Sequence, residues 1–119
     1  MRMTDRPSLA YKVLTSDQMR VLEDERVFAG APVDLADGYI HLSTADQLQE
    51  TIDKHFAGQD NLWLAAVDLE VLEDAVKWEP SRGGQLFPHI YGTLPLDAVI
   101  AYSALAYEPD GALRFPVAG

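Results

Sequence analysis

The chain has 119 residues, 48% of them apolar, and a formal net charge of −10. This composition predicts one ordinary globular domain and argues against intrinsic disorder. The absence of cysteine excludes disulfides, thiolate metal sites and cysteine nucleophiles, and the acidic surface argues against general binding of DNA or RNA.

We expect neither a membrane span nor a secretory signal. No apolar run approaches the roughly 20 residues that span a bilayer, and the first eight residues lack the apolar segment of a secretory signal. We therefore expect a cytoplasmic protein with no membrane association. Residues 1–8 are predicted to form a flexible tail, and residues 9–119 a single domain.

The first half of the chain predicts two helices. A short strand at 10–14 precedes Thr15, which together with Gln18 has the pattern of a capping box. A helix is predicted over 17–28, and the residues from 33 to 37 are predicted to be a short connection. Thr44 and Gln47 repeat the capping pattern before a second helix, predicted over 45–57, in which apolar residues recur at i, i+4 and i+8.

The second half predicts short strands. The apolar run at 62–67 is typical of a central strand covered on both sides, and further strands are predicted at 76–79, 87–91 and 99–103. The turn residues at 108–111 predict a hairpin that returns through 113–115. The order of these elements predicts an α+β fold.

The strand predicted at 39–43 has one polar face. Ile40 and Leu42 alternate with Tyr39, His41 and Ser43, so the polar side chains point to the side opposite the apolar pair. Polar groups on such a face need water, a partner or a ligand. His41 and Ser43 are therefore candidate ligand-binding residues, although a structural role for His41 is nearly as well supported.

A serine hydrolase is not indicated. Ser43 and His41 are separated by one residue on the same strand face, about 7 Å apart at their β-carbons, which is too far for a nucleophile and its base. The sequence also lacks the Gly-x-Ser-x-Gly elbow. His41 and His89 could meet across two strands, but no pair of histidines has the spacing of a zinc motif.

A second candidate region is the glycine-rich loop at 80–85 and the strand after it. Arg82 lies beside two glycines and is suited to a phosphate or carboxylate, although a solvated turn is an equal alternative. Phe87, His89 and Tyr91 alternate on one face of the following strand. Glu79 lies next to Trp78, and desolvation by this neighbour would raise the pKa of its carboxyl.

Three sequence blocks resemble a bacterial family, the domain-of-unknown-function family nine-five-two. The blocks are residues 11–13, residues 37–44 and residues 87–92, and the resemblance extends over about residues 9–105. It implies a fold similar to the ADP-ribosyltransferase superfamily, with a split, mostly antiparallel sheet and a cleft for a nicotinamide dinucleotide. Residues 40–43 are also similar to the Val-His-Leu-Ser stretch of the RNA 2′-phosphotransferases in that superfamily.

The resemblance implies roles for individual residues. His41 would hold the ribose of NAD, Ser43 would flank it, and Tyr91 would line the nicotinamide pocket; Arg82 and His89 complete the expected nucleotide-binding set. The catalytic glutamate of established transferases has no counterpart here, so transfer of ADP-ribose stays open. The alternatives are a non-catalytic binding module on the same fold and a metal-dependent hydrolase that uses His41 and His89, although we expect no metal.

Overall fold

The computed structural model of the protein describes residues 7–117, except for the side chain of Arg82. Residues 1–6, which make up most of the predicted tail, lie outside the described part of the chain, as do residues 118–119. Ser8, at the end of the predicted tail, accepts a main-chain hydrogen bond of 2.9 Å from Leu69. The first strand therefore begins beside an anchored residue.

The described residues form helices and strands, which alternate along the first half of the chain. The helices are Ser16–Glu25 (α1), Pro32–Asp37 (α2), Leu48–His55 (α3) and Leu69–Leu72 (α4). The strands are Leu9–Thr15 (β1), Val27–Phe28 (β2), Ile40–His41 (β3), Leu62–Asp68 (β4), Val76–Pro80 (β5), Leu86–Ile90 (β6), Leu94–Pro95 (β7) and Val99–Ala104 (β8). All strand pairs within residues 7–117 are antiparallel, and the predicted α+β class is confirmed.

Strand β4 lies at the centre of the first sheet, whose order is β1-β4-β8. Its successive residues face two apolar clusters on opposite sides of the sheet. Ala65 and Val67 belong to one cluster, and Leu64 and Ala66 belong to the other. The prediction of a central strand covered on both sides is therefore confirmed.

Strand β3 belongs to another sheet, of order β3-β6-β5, and a pair of short strands, β2 and β7, forms a third. His41 of β3 lies directly opposite His89 of β6. The strand is shorter than predicted because the chain leaves β6 after Leu42. Ser43 instead exchanges two main-chain hydrogen bonds, of 2.8 and 2.9 Å, with Tyr11 of β1. This stretch thus connects the first sheet to the sheet of β3.

Helix α1 begins as predicted and ends early. The N–H of Gln18 donates to Thr15 Oγ1 at 3.1 Å, and the N–H of Thr15 donates to Gln18 Oε1 at 3.0 Å, so the capping box is confirmed. Arg26 has a left-handed conformation with φ 64°. The helix therefore stops at Glu25 rather than at residue 28, and residues 27 and 28 form β2.

Helix α2 occupies the stretch that was predicted to be a connection, so that prediction is wrong. Pro32 lies in its first turn, where its missing N–H is not needed, and Asp34 Oδ2 accepts the N–H of Ala31 at 2.8 Å. Gly38, with φ 91°, ends the helix. Val33 and Leu35 are 58% and 63% exposed, whereas Asp34 is 2% exposed. The helix thus buries Asp34 and exposes Val33 and Leu35, which is the reverse of the usual burial of apolar residues in an amphipathic helix.

Helix α3 starts three residues later than predicted. Residues 44–47 form a turn in which Gln47 N–H donates to Thr44 O at 3.0 Å. Thr44 was predicted to cap the helix through its side chain. Instead, its main-chain N–H donates to Gln47 Oε1 at 3.0 Å. The predicted apolar stripe is observed, with Leu48 and Ile52 buried and Phe56 packed beside them.

The remaining predictions for the second half hold with small shifts. Strands β5, β6 and β8 occur where strands were predicted. In the predicted hairpin, Glu108 N–H donates to Ala112 O at 2.7 Å and Tyr107 pairs with Leu113. Within residues 7–117, no helix has the length and apolar character to cross a membrane.

Candidate functional site

A cavity of about 460 Å³ lies between strand β1, strands β3 and β6, and helix α3. Its polar lining includes the predicted residues His41, Ser43 and His89. Apolar and aromatic groups cover the rest of its wall: Tyr11, Val13, Val33, Leu42, Phe56 and Phe87. The volume lies within the range of small-molecule sites, roughly 300–1,000 Å³.

The alternation predicted at 39–43 explains why His41 reaches this cavity. Ile40 and Leu42 are buried in the larger apolar cluster. His41 therefore points away from that cluster, and it lines the cavity. Tyr39 lies beside it, with ring centroids 4.8 Å apart. The polar face of the strand is confirmed.

Asp34 is the centre of a buried hydrogen-bond network behind the cavity wall. Its carboxylate accepts two bonds from Lys12 Nζ, at 2.9 and 3.2 Å. It also accepts the main-chain N–H of His41 at 3.1 Å and lies 2.6 Å from His41 Nδ1. With the bond from Ala31, this single side chain connects β1, the start of α2 and β3.

The charges of this network are set by burial and by mutual attraction. Burial opposes ionisation of Asp34, but the hydrogen bond from His41 and the charge of Lys12 outweigh it and hold the pKa of Asp34 well below its ordinary value. Burial lowers the pKa of Lys12, and Asp34 opposes that shift. A buried pair of this kind persists because each charge has its partner.

His41 faces a carboxylate at each ring nitrogen. Nδ1 lies 2.6 Å from Asp34, and Nε2 lies 2.9 Å from Oδ2 of Asp37. An ionised carboxylate accepts hydrogen bonds and donates none, so both carboxylates are acceptors for the imidazole. Asp37 is far more exposed than Asp34, so a ligand can replace Asp37 at Nε2 more easily than it can replace Asp34 at Nδ1.

His89 has a different arrangement. Its Nδ1 lies 2.7 Å from Glu79 Oε1, and the hydroxyl of Tyr91 donates to both oxygens of Glu79 at 2.9 Å. These bonds to His89 and Tyr91 lower the pKa of Glu79. The expectation that Trp78 raises the pKa of Glu79 is therefore wrong, because the carboxylate accepts hydrogen bonds from the neighbouring strand.

Aromatic rings join the two histidines. Tyr39 stacks on His89 with ring centroids 4.1 Å apart, and its centroid lies 5.2 Å from that of Tyr91. The ring centroids of His41 and His89 lie 5.3 Å apart. Desolvation, with the charges of Asp37 and Glu79, raises the pKa of Tyr39, so its hydroxyl stays protonated at neutral pH.

Ser43 takes no part in a serine–histidine pair. Its Oγ lies 2.8 Å from Oγ1 of Thr51 on α3, and Thr51 in turn donates to Gln47 O at 3.1 Å. Since His41 is occupied by carboxylates, the exclusion of a serine hydrolase agrees with the geometry.

The structure brings together three of the five residues that the sequence predicts as nucleotide-binding. His41, Ser43 and His89 line the cavity. Tyr91 does not line it, but contacts the site through Glu79 and Tyr39. Arg82 is the fifth predicted residue, and its side chain lies outside the described part of the chain. Its neighbour Ser81 lines the cavity.

Three residues of the site were missed in the sequence. Lys12 and Asp34 form the buried pair, and Asp37 faces His41. Pro32 followed by an acid and then Gly38 was an available signal for a short helix. Nothing in the sequence indicated that Lys12, on an otherwise apolar strand, would meet that helix.

The described residues contain no cluster of three or more histidine and acidic side chains arranged to hold a metal ion. His55, at the end of α3, also lines the cavity.

Comparison with known proteins identifies the family of this chain. The family model described as "Protein of unknown function (DUF952)" matches residues 13–102. The chain belongs to DUF952. The expected membership is therefore confirmed. No curated protein matches the chain.

Solved structures of one similar protein agree with the fold of this DUF952 member. The crystal structure of CC0527 from Caulobacter crescentus is 44% identical, covers 89% of this chain and 93% of its own, and has a TM-score of 0.80. The solution NMR structure of CC0527 is 45% identical, covers 88% and 90%, and has a TM-score of 0.75.

Proposed function

We propose that the cavity binds NAD or a related nucleotide of the ADP-ribose type, on a fold of the ADP-ribosyltransferase kind. The observation that carries the proposal is the pair of histidines, His41 and His89, at one wall of a cavity of about 460 Å³. The block of residues 40–43, which is similar to the histidine strand of the RNA 2′-phosphotransferases, supports the same ligand class.

The charges around the cavity favour one orientation of this ligand. Lys12 lines the cavity, but its charge is neutralised by Asp34. Asp37 and Glu79 add negative charge near the two histidines. An acidic, aromatic site attracts the cationic nicotinamide ring and repels phosphates. The nicotinamide riboside end therefore enters the cavity, and the diphosphate remains near its mouth.

The predicted contact between Arg82 and a phosphate agrees with this orientation. Ser81 lines the cavity, and the loop that it begins turns back on itself through a hydrogen bond of 2.8 Å from Ser81 N–H to Gln85 O. Arg82 lies within this loop and remains the predicted partner of a phosphate.

The same acidic groups suit cleavage of the bond between ribose and nicotinamide. Breaking that bond leaves positive charge on the ribose, and fixed negative charge nearby lowers the energy of such a state. We therefore include transfer of the ADP-ribose group in the proposal. The alternative, a non-catalytic module, predicts binding of the same nucleotide without release of nicotinamide.

Isothermal titration calorimetry with NAD and with ADP-ribose tests the binding. We expect heat with at least one of them in the wild-type protein. His41→Gln should weaken binding about tenfold or more, the effect of losing one hydrogen bond to a charged group. Asp53→Asn on the exposed side of α3 is the control and should bind normally. No heat from the wild type with either nucleotide at millimolar concentration would refute the proposal.

Chromatographic measurement of nicotinamide separates the two alternatives. Release of nicotinamide from NAD supports transfer to water or to another acceptor. Binding without release supports the non-catalytic module.

A further inference from the structure

His89 and Glu79 form a pair through one nitrogen of the imidazole. Nδ1 of His89 lies 2.7 Å from Glu79, and the side chain of His89 is 3% exposed. The structure gives Nε2 no hydrogen bond to any described residue. Because the side chain lines the cavity, Nε2 is the ring nitrogen available to a molecule bound there.

Glu79 determines which nitrogen carries the hydrogen. Its carboxylate accepts from Nδ1, and the hydrogen bonds that lower its pKa keep it ionised. A neutral imidazole whose Nδ1–H is held in this way has its lone pair on Nε2. The stacked ring of Tyr39, 4.1 Å away, fixes the plane of the imidazole.

We propose that His89 is the general base of this site and that Glu79 is its positioning residue. This inference rests on the proposed function. Water attacks the anomeric carbon of the NAD ribose, and a carbon–oxygen bond forms as the carbon–nitrogen bond to nicotinamide breaks. The electron pair of the broken bond neutralises the nicotinamide nitrogen, and the proton of the water passes to Nε2 of His89.

His41 is unsuited to this role despite its similar position. Both of its nitrogens face carboxylates, Asp34 at 2.6 Å and Asp37 at 2.9 Å. Each nitrogen therefore already lies at hydrogen-bond distance from a carboxylate of the protein. His41 is therefore a binding group, and His89 is the group that accepts the proton.

The groups around His89 support the assignment. Tyr91 donates to Glu79 and occupies its two oxygens. Lys77 lies opposite His89 on β5, and its Nζ is 5.9 Å from the centre of the Tyr91 ring. Asp37 contacts His41. Glu79 is thus the acid bonded to His89.

The test compares Glu79→Gln with Glu23→Gln. Glu23 accepts a bond of 2.7 Å from Tyr102, so the control also removes the charge of a glutamate bonded to a tyrosine, but without a histidine. We expect Glu79→Gln to reduce kcat for nicotinamide release by a factor of about 10² to 10⁴, the usual size of general-base catalysis. Because Glu79 carries part of the negative charge that attracts nicotinamide, titration calorimetry measures the Kd of Glu79→Gln separately and kcat is compared at saturating NAD. Glu23→Gln should behave as wild type in both assays.

A second readout does not depend on turnover. Long-range proton–nitrogen NMR of the wild-type protein identifies which nitrogen of neutral His89 carries the hydrogen. We expect Nδ1–H in the wild type and loss of this preference in Glu79→Ala, which has no acceptor. Thermal unfolding of each variant establishes that the fold is retained.

The outcomes separate the two proposals. If the wild type binds no nucleotide, the proposed function fails, and the assigned reaction fails with it. If nucleotide binds and Glu79→Gln retains kcat within threefold, or wild-type His89 carries its hydrogen on Nε2, the assignment of His89 as base is overturned while nucleotide binding stands. Binding without any nicotinamide release overturns the assignment in the same way.

Discussion

Replacing Asp34 by alanine should be among the most destabilising single changes in this protein. The carboxylate is 2% exposed and receives hydrogen bonds from Lys12, Ala31 and His41. Alanine would leave the ammonium of Lys12 buried without an anion. It would also leave the main-chain N–H of Ala31 without its acceptor at the start of α2.

The expected loss follows from the buried ion pair. Removing one partner of such a pair costs about 3–5 kcal/mol, a large part of the roughly 5–15 kcal/mol that stabilises a typical domain. Asp34→Asn keeps an acceptor oxygen and should cost less. Lys12→Met leaves Asp34 with its bonds from His41 and Ala31, so we expect a smaller loss of about 1–3 kcal/mol.

Equilibrium unfolding in urea, followed by tryptophan fluorescence, measures these losses. The double variant Lys12→Met/Asp34→Asn should be more stable than the sum of the single losses predicts, because it removes both charges together. Asp17→Asn is the control, since the Asp17–Arg20 pair is exposed and such pairs contribute about 0–1 kcal/mol. A loss below about 1 kcal/mol for Asp34→Ala, or additive losses in the double variant, would refute this account of the network.

The contribution of the same network to stability should decrease in acid. Burial opposes ionisation of Asp34, but His41 and Lys12 lower its pKa in the folded protein. Its contribution to stability is therefore complete above the unfolded pKa, about 3.9, and declines as the pH falls below that value towards the folded pKa. Urea unfolding at a series of pH values should show a steeper acid loss in the wild type than in Asp34→Asn. Equal slopes would contradict the assigned pKa shift.

Three further predictions concern the fold. Leu14→Ala removes a fully buried side chain and should lower the free energy of unfolding by about 2–5 kcal/mol. Leu35→Ala, on the exposed side of α2, should change it by less than about 0.5 kcal/mol, and similar losses for the two variants would contradict the assigned core. Thr15→Ala removes the capping box and should cost about 0.5–2 kcal/mol, whereas Thr44→Ala should cost less because the main chain of Thr44 makes its bond. Gly38→Ala should cost about 1–2 kcal/mol because the φ of 91° is strained for alanine, and an unchanged urea midpoint would show that α2 does not need this ending.

The sequence predicted the elements whose apolar pattern matches their environment. The run at 62–67 is continuous because β4 is covered on both faces, and the alternation at 39–43 reports the polar face that carries His41. These predictions succeeded because burial alone determines which residue types occur there. His89 was found for the same reason, on a strand that alternates beside the glycine-rich loop.

Helix α2 and the buried ion pair could not be predicted in this way. The helix packs through Asp34 and exposes Val33 and Leu35, so its apolar pattern contradicts its orientation. Its stability depends on Lys12, 22 residues earlier in the chain. A contact between two charged residues so distant in sequence leaves no periodic signal. The partners of His41 were missed because they belong to this helix.

The two main-chain bonds between Tyr11 and Ser43, with the Lys12–Asp34 pair beside them, have a consequence for hydrogen exchange. Opening the cavity wall at this point requires separation of β1 from the residue after β3 and loss of a buried ion pair. The amides of Tyr11 and Ser43 should therefore exchange with solvent only when the whole molecule unfolds. In contrast, the amides of the exposed turn at 108–111 should exchange through local opening. The cavity wall should therefore be as stable as the fold itself.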